Sequence, residues 1–130
     1  MANITKITSG IKISVESNYE GAYFQNYQIQ YAFSYIITIE NQGHEPVQLL
    51  KRHWDIFDAL NNKEVVDGDG VIGEQPIISP GQAHSYSSGC LLNAPFGTMK
   101  GHYLMSNIIG YKEFKAMIPA FNLSAPFALN

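Results

Sequence analysis

Three glycines at the spacing G-x-G-x-x-G are the feature of this sequence that points most directly to ligand chemistry. They are Gly68, Gly70 and Gly73, and we call residues 68–73 the glycine-rich loop. Glycines let backbone amides approach a pyrophosphate because no Cβ stands in the way. The dinucleotide-binding form of this motif also needs a helix directly after it, and Pro76 follows too closely for one. The loop is therefore open to two interpretations, a phosphate-binding nest of amides or a structural corner of the chain.

Acidic residues beside the glycine-rich loop affect which ions could bind there. Asp67 and Asp69 would repel a phosphate unless a cation lay between them. The spacing does not fit an EF-hand, since the fifth position counted from Asp67 is Val71 and the twelfth is Ile78. We therefore expect no resident metal and no cofactor, with a weak Mg²⁺ or Co²⁺ contact only where a phosphate ligand is bound.

Arg52 is the basic residue that could anchor an anion beside this loop. It has the same strand parity as the apolar residues Leu50 and Trp54. An arginine in an apolar register stacks on an aromatic ring, pairs with a carboxylate or holds an anionic ligand, and the sequence leaves these alternatives open. The candidate pyrophosphate-binding residues are therefore Arg52, Gly68, Asp69, Gly70 and Gly73.

No set of catalytic residues is apparent from the sequence spacing. The histidines fit neither H-x-x-x-H nor H-E-x-x-H, and the one cysteine, Cys90, has no local nucleophile signature. Ser88 lies in Ser-Ser-Gly, which is not the G-x-S-x-G of a nucleophile elbow. We predict that the protein is not an enzyme, because hydrolysis of a phosphoanhydride would need a base and a metal that the sequence does not assemble. The four histidines are His44, His53, His84 and His102.

Three aromatic residues occur in residues 17–28, a segment that loses hydrophobic alternation and is predicted to be a long connecting loop. Tyr23, Phe24 and Tyr27 are unusual in a solvated connection. They either pack back over the fold as a lid or form an exposed patch for a partner. The second alternative makes these three residues a candidate interaction surface.

The elements that must position these residues are short β-strands, because the dominant hydrophobic period is two. Apolar residues occupy the odd positions of residues 11–16 and of residues 31–39. The apolar phase shifts between Leu49 and Leu50, which predicts a β-bulge, and residues 60–63 are typical of a hairpin turn. With about seven or eight such strands, we predict an all-β fold: an immunoglobulin- or fibronectin type III-like antiparallel β-sandwich, with an open barrel as the alternative.

Length and composition limit the classes of function. The chain has 130 residues, of which 45% are hydrophobic and 15% charged, and its net charge is -3. This composition is globular rather than disordered, and the acidic balance argues against nucleic-acid binding. No targeting or membrane-spanning segment is apparent, and a lone thiol is typical of a reducing compartment, so we expect a cytoplasmic protein without membrane contact. We expect one domain over residues 1–130 with its core within residues 11–126.

Four segments in this order resemble the ApaG family: Val47–Trp54 (VQLLKRHW), Gly68–Pro76 (GDGVIGEQP), Pro80–Gly89 and Gly97–Met105 (GTMKGHYLM). The resemblance covers roughly residues 11–126 and points to the small stand-alone bacterial members. It implies a fibronectin type III-like sandwich, a genetic association with cobalt and magnesium resistance or efflux, and pyrophosphate binding at the glycine-rich loop in some members. Similar modules in an F-box protein and in a DNA-polymerase-delta-interacting protein imply contact with other proteins.

Two functions therefore compete at this level. The first is a non-enzymatic binding or protein-interaction domain of the ApaG type. In it, the aromatic residues and an unpaired edge strand contact another protein or a second copy of the chain. The alternative is a nucleotide-binding protein in which the glycine-rich loop and Arg52 hold a pyrophosphate with a divalent cation.

Overall fold

The computed structural model describes residues 3–60 and 62–129, which form nine β-strands and one short 3₁₀ helix. The strands are β1 (Asn3–Thr8), β2 (Ile11–Gln25), β3 (Gln28–Asn41), β4 (Val47–Asp58), β5 (Lys63–Asp69), β6 (Ile77–Ile78), β7 (Ala83–Leu92), β8 (Phe96–Asn107) and β9 (Glu113–Ser124), and the helix is Pro126–Leu129. No helix in the described part of the chain has the length and apolar character needed to cross a bilayer.

The strands form two sheets in which every pairing is antiparallel. The first sheet has the order β1-β2-β3-β7, and the second has the order β5-β4-β8-β9 with β6 paired to the start of β4. The predicted antiparallel β-sandwich is confirmed. Two strands, β1 and the two-residue β6, were not expected. Most side chains of β1 are exposed, so this edge strand lacks the alternation that marks a half-buried strand.

The core lies between the sheets and follows the period-two pattern of the sequence. On β2, Ile11, Ile13 and Val15 are at most 2% exposed, and the inward-facing positions of β3 are similarly buried. Burial of one such side chain contributes about 1.5–3 kcal/mol. The buried apolar residues of both sheets belong to one cluster.

Residues 17–28 are not a loop, contrary to the sequence-based prediction. Strands β2 and β3 continue as a long hairpin, with Gln25 paired to Gln28 across a two-residue turn. The turn residues Asn26 and Tyr27 have φ of 50° and 63°, as a type I′ turn requires. A bulge between Tyr19 and Gly21 shifts the register of β2, and this shift interrupts the alternation on which the prediction depended.

Two other local predictions concern β4. The predicted bulge is present between Leu49 and Lys51, and it moves the inward-facing phase onto Trp54 and Ile56. After β4, the Asp58 carboxylate accepts hydrogen bonds from the backbone amides of Leu60 and Asn62. The predicted turn at residues 60–63 includes Asn61, which lies outside the described residues.

The two sides of the sandwich differ in closure. On one side, β1 of the first sheet contacts β9 of the second. On the other side the edge strands are β7 and β5. The inward-facing residues Tyr86, Ser88 and Cys90 of β7 are only half-buried, whereas their partners on β3, such as Tyr35 and Ile37, are 5% and 0% exposed. A cleft therefore opens between the sheets on the β5–β7 side.

Candidate functional site

The glycine-rich loop uses its backbone amides within the protein. The Gly70 amide donates to the carbonyl oxygen of Leu50 at 2.8 Å, and the Val71 amide donates to that of Glu74 at 2.8 Å. The Glu74 amide returns a bond to Val71 at 3.0 Å. Gly68 belongs to β5 and pairs with Arg52 of β4. The first half of the loop is therefore a tight corner held by its own backbone.

Two glycines of the loop are explained by close packing. Gly70 has φ of 61°, and a Cβ at this position would overlap the carbonyl oxygen of Glu74. A Cβ on Gly68 would lie 2.6 Å from the Cζ atom of Arg52. Gly73 also has a positive φ, 74°, but nothing lies within 4 Å of its Cβ position. The motif thus has a structural explanation at Gly68 and Gly70 and only a conformational one at Gly73.

Arg52 fastens this corner to β4. Its Nη1 atom donates to the carbonyl oxygens of Asp69 and Gly70, each at 3.0 Å. Within residues 3–60 and 62–129, no carboxylate pairs with this guanidinium and no aromatic ring stacks on it. The structure therefore brings Arg52, Gly68, Asp69 and Gly70 together, while Gly73 lies at the open outer edge of the loop.

The cleft between the sheets lies next to Arg52. It has a volume of about 390 Å³, and both sheets contribute to its lining. Trp54 and Tyr35 form an aromatic pair at its floor, with ring centroids 5.6 Å apart. The Tyr86 hydroxyl is hydrogen-bonded to the hydroxyl of Tyr103, and burial raises the pKa of both phenols. The remaining lining residues are Ile56, Glu64, Val66, Val71, Ile72, Ser88, Gly89, Cys90, Leu91 and Met99.

Cys90 is an unreactive part of this lining. Its thiol lies 3.8 Å from the sulfur of Met99. Burial, and then the negative charge of Glu64, raises the pKa of the Cys90 thiol to about 11. At neutral pH the group is a protonated thiol, so it contributes to packing rather than nucleophilic chemistry.

The outer face of the second sheet carries a histidine cluster that sequence reasoning missed. His53 is hydrogen-bonded through Nδ1 to Asp67 at 2.6 Å and through Nε2 to Asp55 at 3.2 Å. His102 stacks on it, with ring centroids 4.9 Å apart. The bond to Asp67 is the largest cause of a raised His53 pKa, whereas burial and the nearby charge of Lys115 lower the pKa of His102.

Strand register explains why this cluster could not be found from spacing alone. His53 lies directly opposite His102 of β8 on one side and Asp67 of β5 on the other. The one signal in the sequence was that His53 and Asp55 lie two positions apart on a strand, so their side chains share one face of the sheet. In the part of the chain that the structure describes, no three His, Cys, Asp or Glu side chains are arranged to hold a metal ion.

The aromatic residues predicted as an interaction surface lie at the end of the sandwich opposite the glycine-rich loop. Tyr23, Phe24 and Tyr27 are 53%, 70% and 95% exposed, and they do not fold back as a lid. Leu60 is 62% exposed at the neighbouring β4–β5 turn. We call this region the aromatic end; it contains a shallow groove of about 580 Å³ lined by Phe24, Tyr27, Gln28, Ile29, Tyr31, Leu60, Asn62 and Asn93.

Comparison with known proteins agrees with this architecture and with the four sequence segments. The ApaG domain model matches residues 21–107. A Protein ApaG from Methylobacterium radiotolerans is 42% identical over 119 residues, covering 92% of this chain and 91% of the relative. A Protein ApaG from Pseudomonas aeruginosa is 43% identical over 120 residues, covering 92% and 94%. A crystal structure of an ApaA protein from Bordetella pertussis superposes with a TM-score of 0.83 at 37% identity, covering 89% of this chain and 94% of that one. The chain belongs to the ApaG family.

Proposed function

We propose that this protein is a protein-interaction domain that binds its partner through the aromatic end. The observation that carries this proposal is the exposure of Phe24 and Tyr27, which line one groove on an ordered hairpin. Tyr23 is exposed on the opposite face of the same strand, because it directly precedes Phe24. A single exposed apolar side chain is ordinary, whereas several that adjoin one another mark a contact surface. Tyrosine and phenylalanine are enriched in interfaces because each provides a large contact area at little cost in conformational entropy.

The charge distribution supports the same surface. None of the described residues that line the groove carries a charge. Depletion of charged side chains distinguishes the centre of an interface from ordinary protein surface. The partner surface that fits this groove is therefore apolar and uncharged, with a polar rim.

Strand pairing makes the aromatic end rigid. Across the hairpin, Tyr23 pairs with Gln30 and Phe24 pairs with Ile29. A contact surface on paired strands loses less conformational entropy on binding than one on a free loop. The aromatic end is therefore organised before a partner arrives.

The nucleotide-binding alternative receives less support from the geometry. The amides of Gly70 and Val71 donate to carbonyl oxygens of the protein, so a pyrophosphate would compete with bonds already made. Nucleotide binding with Mg²⁺ stays a prediction, which calorimetry with ATP in the presence and absence of Mg²⁺ can test. The association with cobalt and magnesium, the absence of an enzymatic activity and the cytoplasmic location also stay predictions.

The experiment compares two double variants as baits for affinity capture from lysate, each quantified against the wild-type chain. Phe24→Ser with Tyr27→Ser removes apolar area from the aromatic end. Ile109→Ser with Tyr111→Ser is the matched control, because these residues are 67% and 83% exposed at the other end of the sandwich. We expect the first variant to lose a partner that the wild type and the control retain.

Sedimentation velocity of the same three proteins tests for self-association. A dimer lost only in the Phe24→Ser, Tyr27→Ser variant would identify a second copy of the chain as the partner. If all three proteins capture the same set and sediment as monomers, the proposal is wrong.

A further inference from the structure

The cleft between the sheets has the features of a second, separate binding site. We propose that it binds a small organic acid with a flat apolar body and one anionic group, a carboxylate or a phosphate. The anionic group contacts Arg52, and the apolar body lies against Trp54 and Val66. This inference concerns the open β5–β7 side of the sandwich and is independent of the aromatic end.

The first argument is the charge of Arg52. Its parity on β4 matches that of Trp54 and Ile56, which face inward. Among the residues that the structure describes, Arg52 donates only through Nη1, and both acceptors are neutral carbonyl oxygens. A guanidinium that lines a cleft without a carboxylate partner among the described residues favours an anion, and its planar donors match a carboxylate or phosphate.

The second argument is the shape and chemistry of the walls. A volume of about 390 Å³ suits a small ligand. Trp54 and Met99 are buried at the floor, and Val66 and Leu91 line the two edge strands. The lining combines these apolar side chains with the polar groups of Arg52, Glu64 and Ser88. In small-molecule sites, apolar walls provide burial and polar groups fix orientation.

The third argument is the orientation that the charges impose. Of the carboxylates in the described ranges, Glu64 alone lines the cleft. It lies four residues from Gly68 along β5, which separates it by about 13 Å from the position that Arg52 covers. Asp67 and Asp69 also lie near Arg52, but they line a separate pocket with it rather than the cleft. Within the cleft, the potential therefore favours an anion at the Arg52 end and opposes one at the Glu64 end. Ser88 adds a neutral polar group to the lining of the cleft.

Intrinsic tryptophan fluorescence can report whether a ligand occupies the cleft. Trp54 is the single tryptophan, and it lines the cleft. Excitation selective for tryptophan therefore reads the environment of this site. Phenylacetate and phenyl phosphate are suitable probes, since they share an apolar ring and differ in the anionic group. Phenylacetamide has nearly the same shape without the charge.

We expect saturable changes in Trp54 fluorescence with phenylacetate, phenyl phosphate or both. Phenylacetamide should bind at least about tenfold more weakly, because it lacks the charge-assisted bonds to the guanidinium. A stronger response to one anion assigns the carboxylate or the phosphate as the preferred group. Equal affinity for the amide and the anions, or no saturable change with any probe, overturns the proposal.

Variants at both charged positions extend the test. Arg52→Met should weaken phenylacetate binding at least about tenfold, and Arg52→Lys should weaken it less because the positive charge is kept. Glu64→Gln should strengthen it up to about threefold, since an opposing charge is removed from the cleft. Unchanged affinity in the folded Arg52→Met protein contradicts the assignment of the anion to Arg52.

Because Arg52 also holds the glycine-rich loop, its replacement could disturb folding. Amide chemical-shift mapping on the wild-type protein therefore provides a second test. Phenylacetate should shift the amides of Val66, Ser88 and Cys90 and leave those of Phe24 and Tyr27 unchanged. Shifts confined to the aromatic end would place the ligand there and overturn the cleft assignment. The Phe24→Ser, Tyr27→Ser variant should bind phenylacetate normally, so failure of the two proposals is distinguishable.

Discussion

The two ends of the sandwich differ in which groups are paired within the protein and which are exposed to solvent. At the end that contains the glycine-rich loop, polar backbone groups are paired within the protein, as at Gly70 and Val71. At the aromatic end, a regular hairpin projects large apolar side chains into solvent, as at Phe24 and Tyr27. The comparison shows that a motif typical of ligand binding can have the amides of Gly70 and Val71 paired within its own fold, while a regular hairpin can leave large apolar side chains exposed.

Asn41 makes the contrast sharper. It is 1% exposed, and its Nδ2 atom donates to the carbonyl oxygens of Glu45 at 2.8 Å and Ile78 at 2.9 Å. Its Oδ1 atom accepts from the Gly43 amide at 2.9 Å. One buried amide thus joins the turn after β3 to β6, at the end where the glycine-rich loop lies. This end derives its order from satisfied polar groups.

The largest expected effect comes from the glycine that the corner encloses. Gly70→Ala should lower the free energy of unfolding by about 3 kcal/mol or more, because a positive φ and an overlap with Glu74 add. Gly73→Ala is the matched control and should cost about 1 kcal/mol, since only its φ is unfavourable. Urea denaturation measures both. Equal losses would show that packing at Gly70 does not explain the motif.

Removing the Asn41 amide should have the next largest effect. Asn41→Ala should lower the free energy of unfolding by about 2–3 kcal/mol, because the buried carbonyl oxygen of Ile78, the part-buried one of Glu45 and the part-buried Gly43 amide lose their partner. Asn93→Ala removes an exposed amide at the aromatic end and should change stability by less than about 0.5 kcal/mol. Similar losses in the two variants would break the comparison between the ends.

The histidine cluster predicts a pH dependence of opposite sign at its two rings. The His53 pKa is raised, so protonated His53 contributes stability below the unfolded-state value near 6.5. This contribution is lost as pH rises through the folded-state pKa. His102 has a lowered pKa, so its contribution is present above that value and is lost as pH falls through the folded-state pKa.

Denaturation of wild type, His53→Gln and His102→Gln between pH 5 and 9 tests these signs. The wild type should exceed His53→Gln most at low pH, by less than about 1 kcal/mol, because Asp67 is largely exposed and solvent screens the pair. The free energy of unfolding of the wild type should exceed that of His102→Gln most at high pH. Parallel stability curves for the three proteins would contradict both assignments.

The smallest expected change in stability is at the aromatic end. Phe24→Ser should alter the free energy of unfolding by less than about 0.5 kcal/mol, because the ring is 70% exposed. Thermal unfolding of Phe24→Ser and Gly70→Ala, each beside the wild type, measures the two losses of stability directly. A loss above about 1 kcal/mol would indicate that the ring packs on the fold rather than waiting for a partner.

Hydrophobic parity was sufficient to predict the sandwich and its core, because a buried strand face requires apolar residues at every second position. It therefore located the inward-facing residues of β2 and the bulge of β4. Hydrophobic parity failed near Gly21, because a bulge places an extra residue in β2 and shifts its register. The alternation is interrupted there, so the hairpin was predicted to be a loop. Arg52, Gly68 and Gly70 were predicted as neighbours, and they are.

Sites that depend on register between distant strands could not be predicted. His53, Asp67 and His102 come from three strands, and only their alignment across the sheet joins them. The cleft depends on which strands form the sheet edges, since β5 and β7 leave the inward face of β7 half-covered. Sequence spacing contains neither the order of strands nor their offset.

The hairpin turn places the proposed function and the stability of the fold in conflict at one residue, Tyr27. Tyr27 has a left-handed backbone, which costs a tyrosine about 1 kcal/mol relative to glycine, yet its ring is the most exposed apolar side chain of the hairpin. Tyr27→Gly should therefore make the isolated domain harder to unfold while weakening capture of its partner. Folding alone would favour glycine here, so the presence of tyrosine supports the proposed role of the aromatic end in binding a partner.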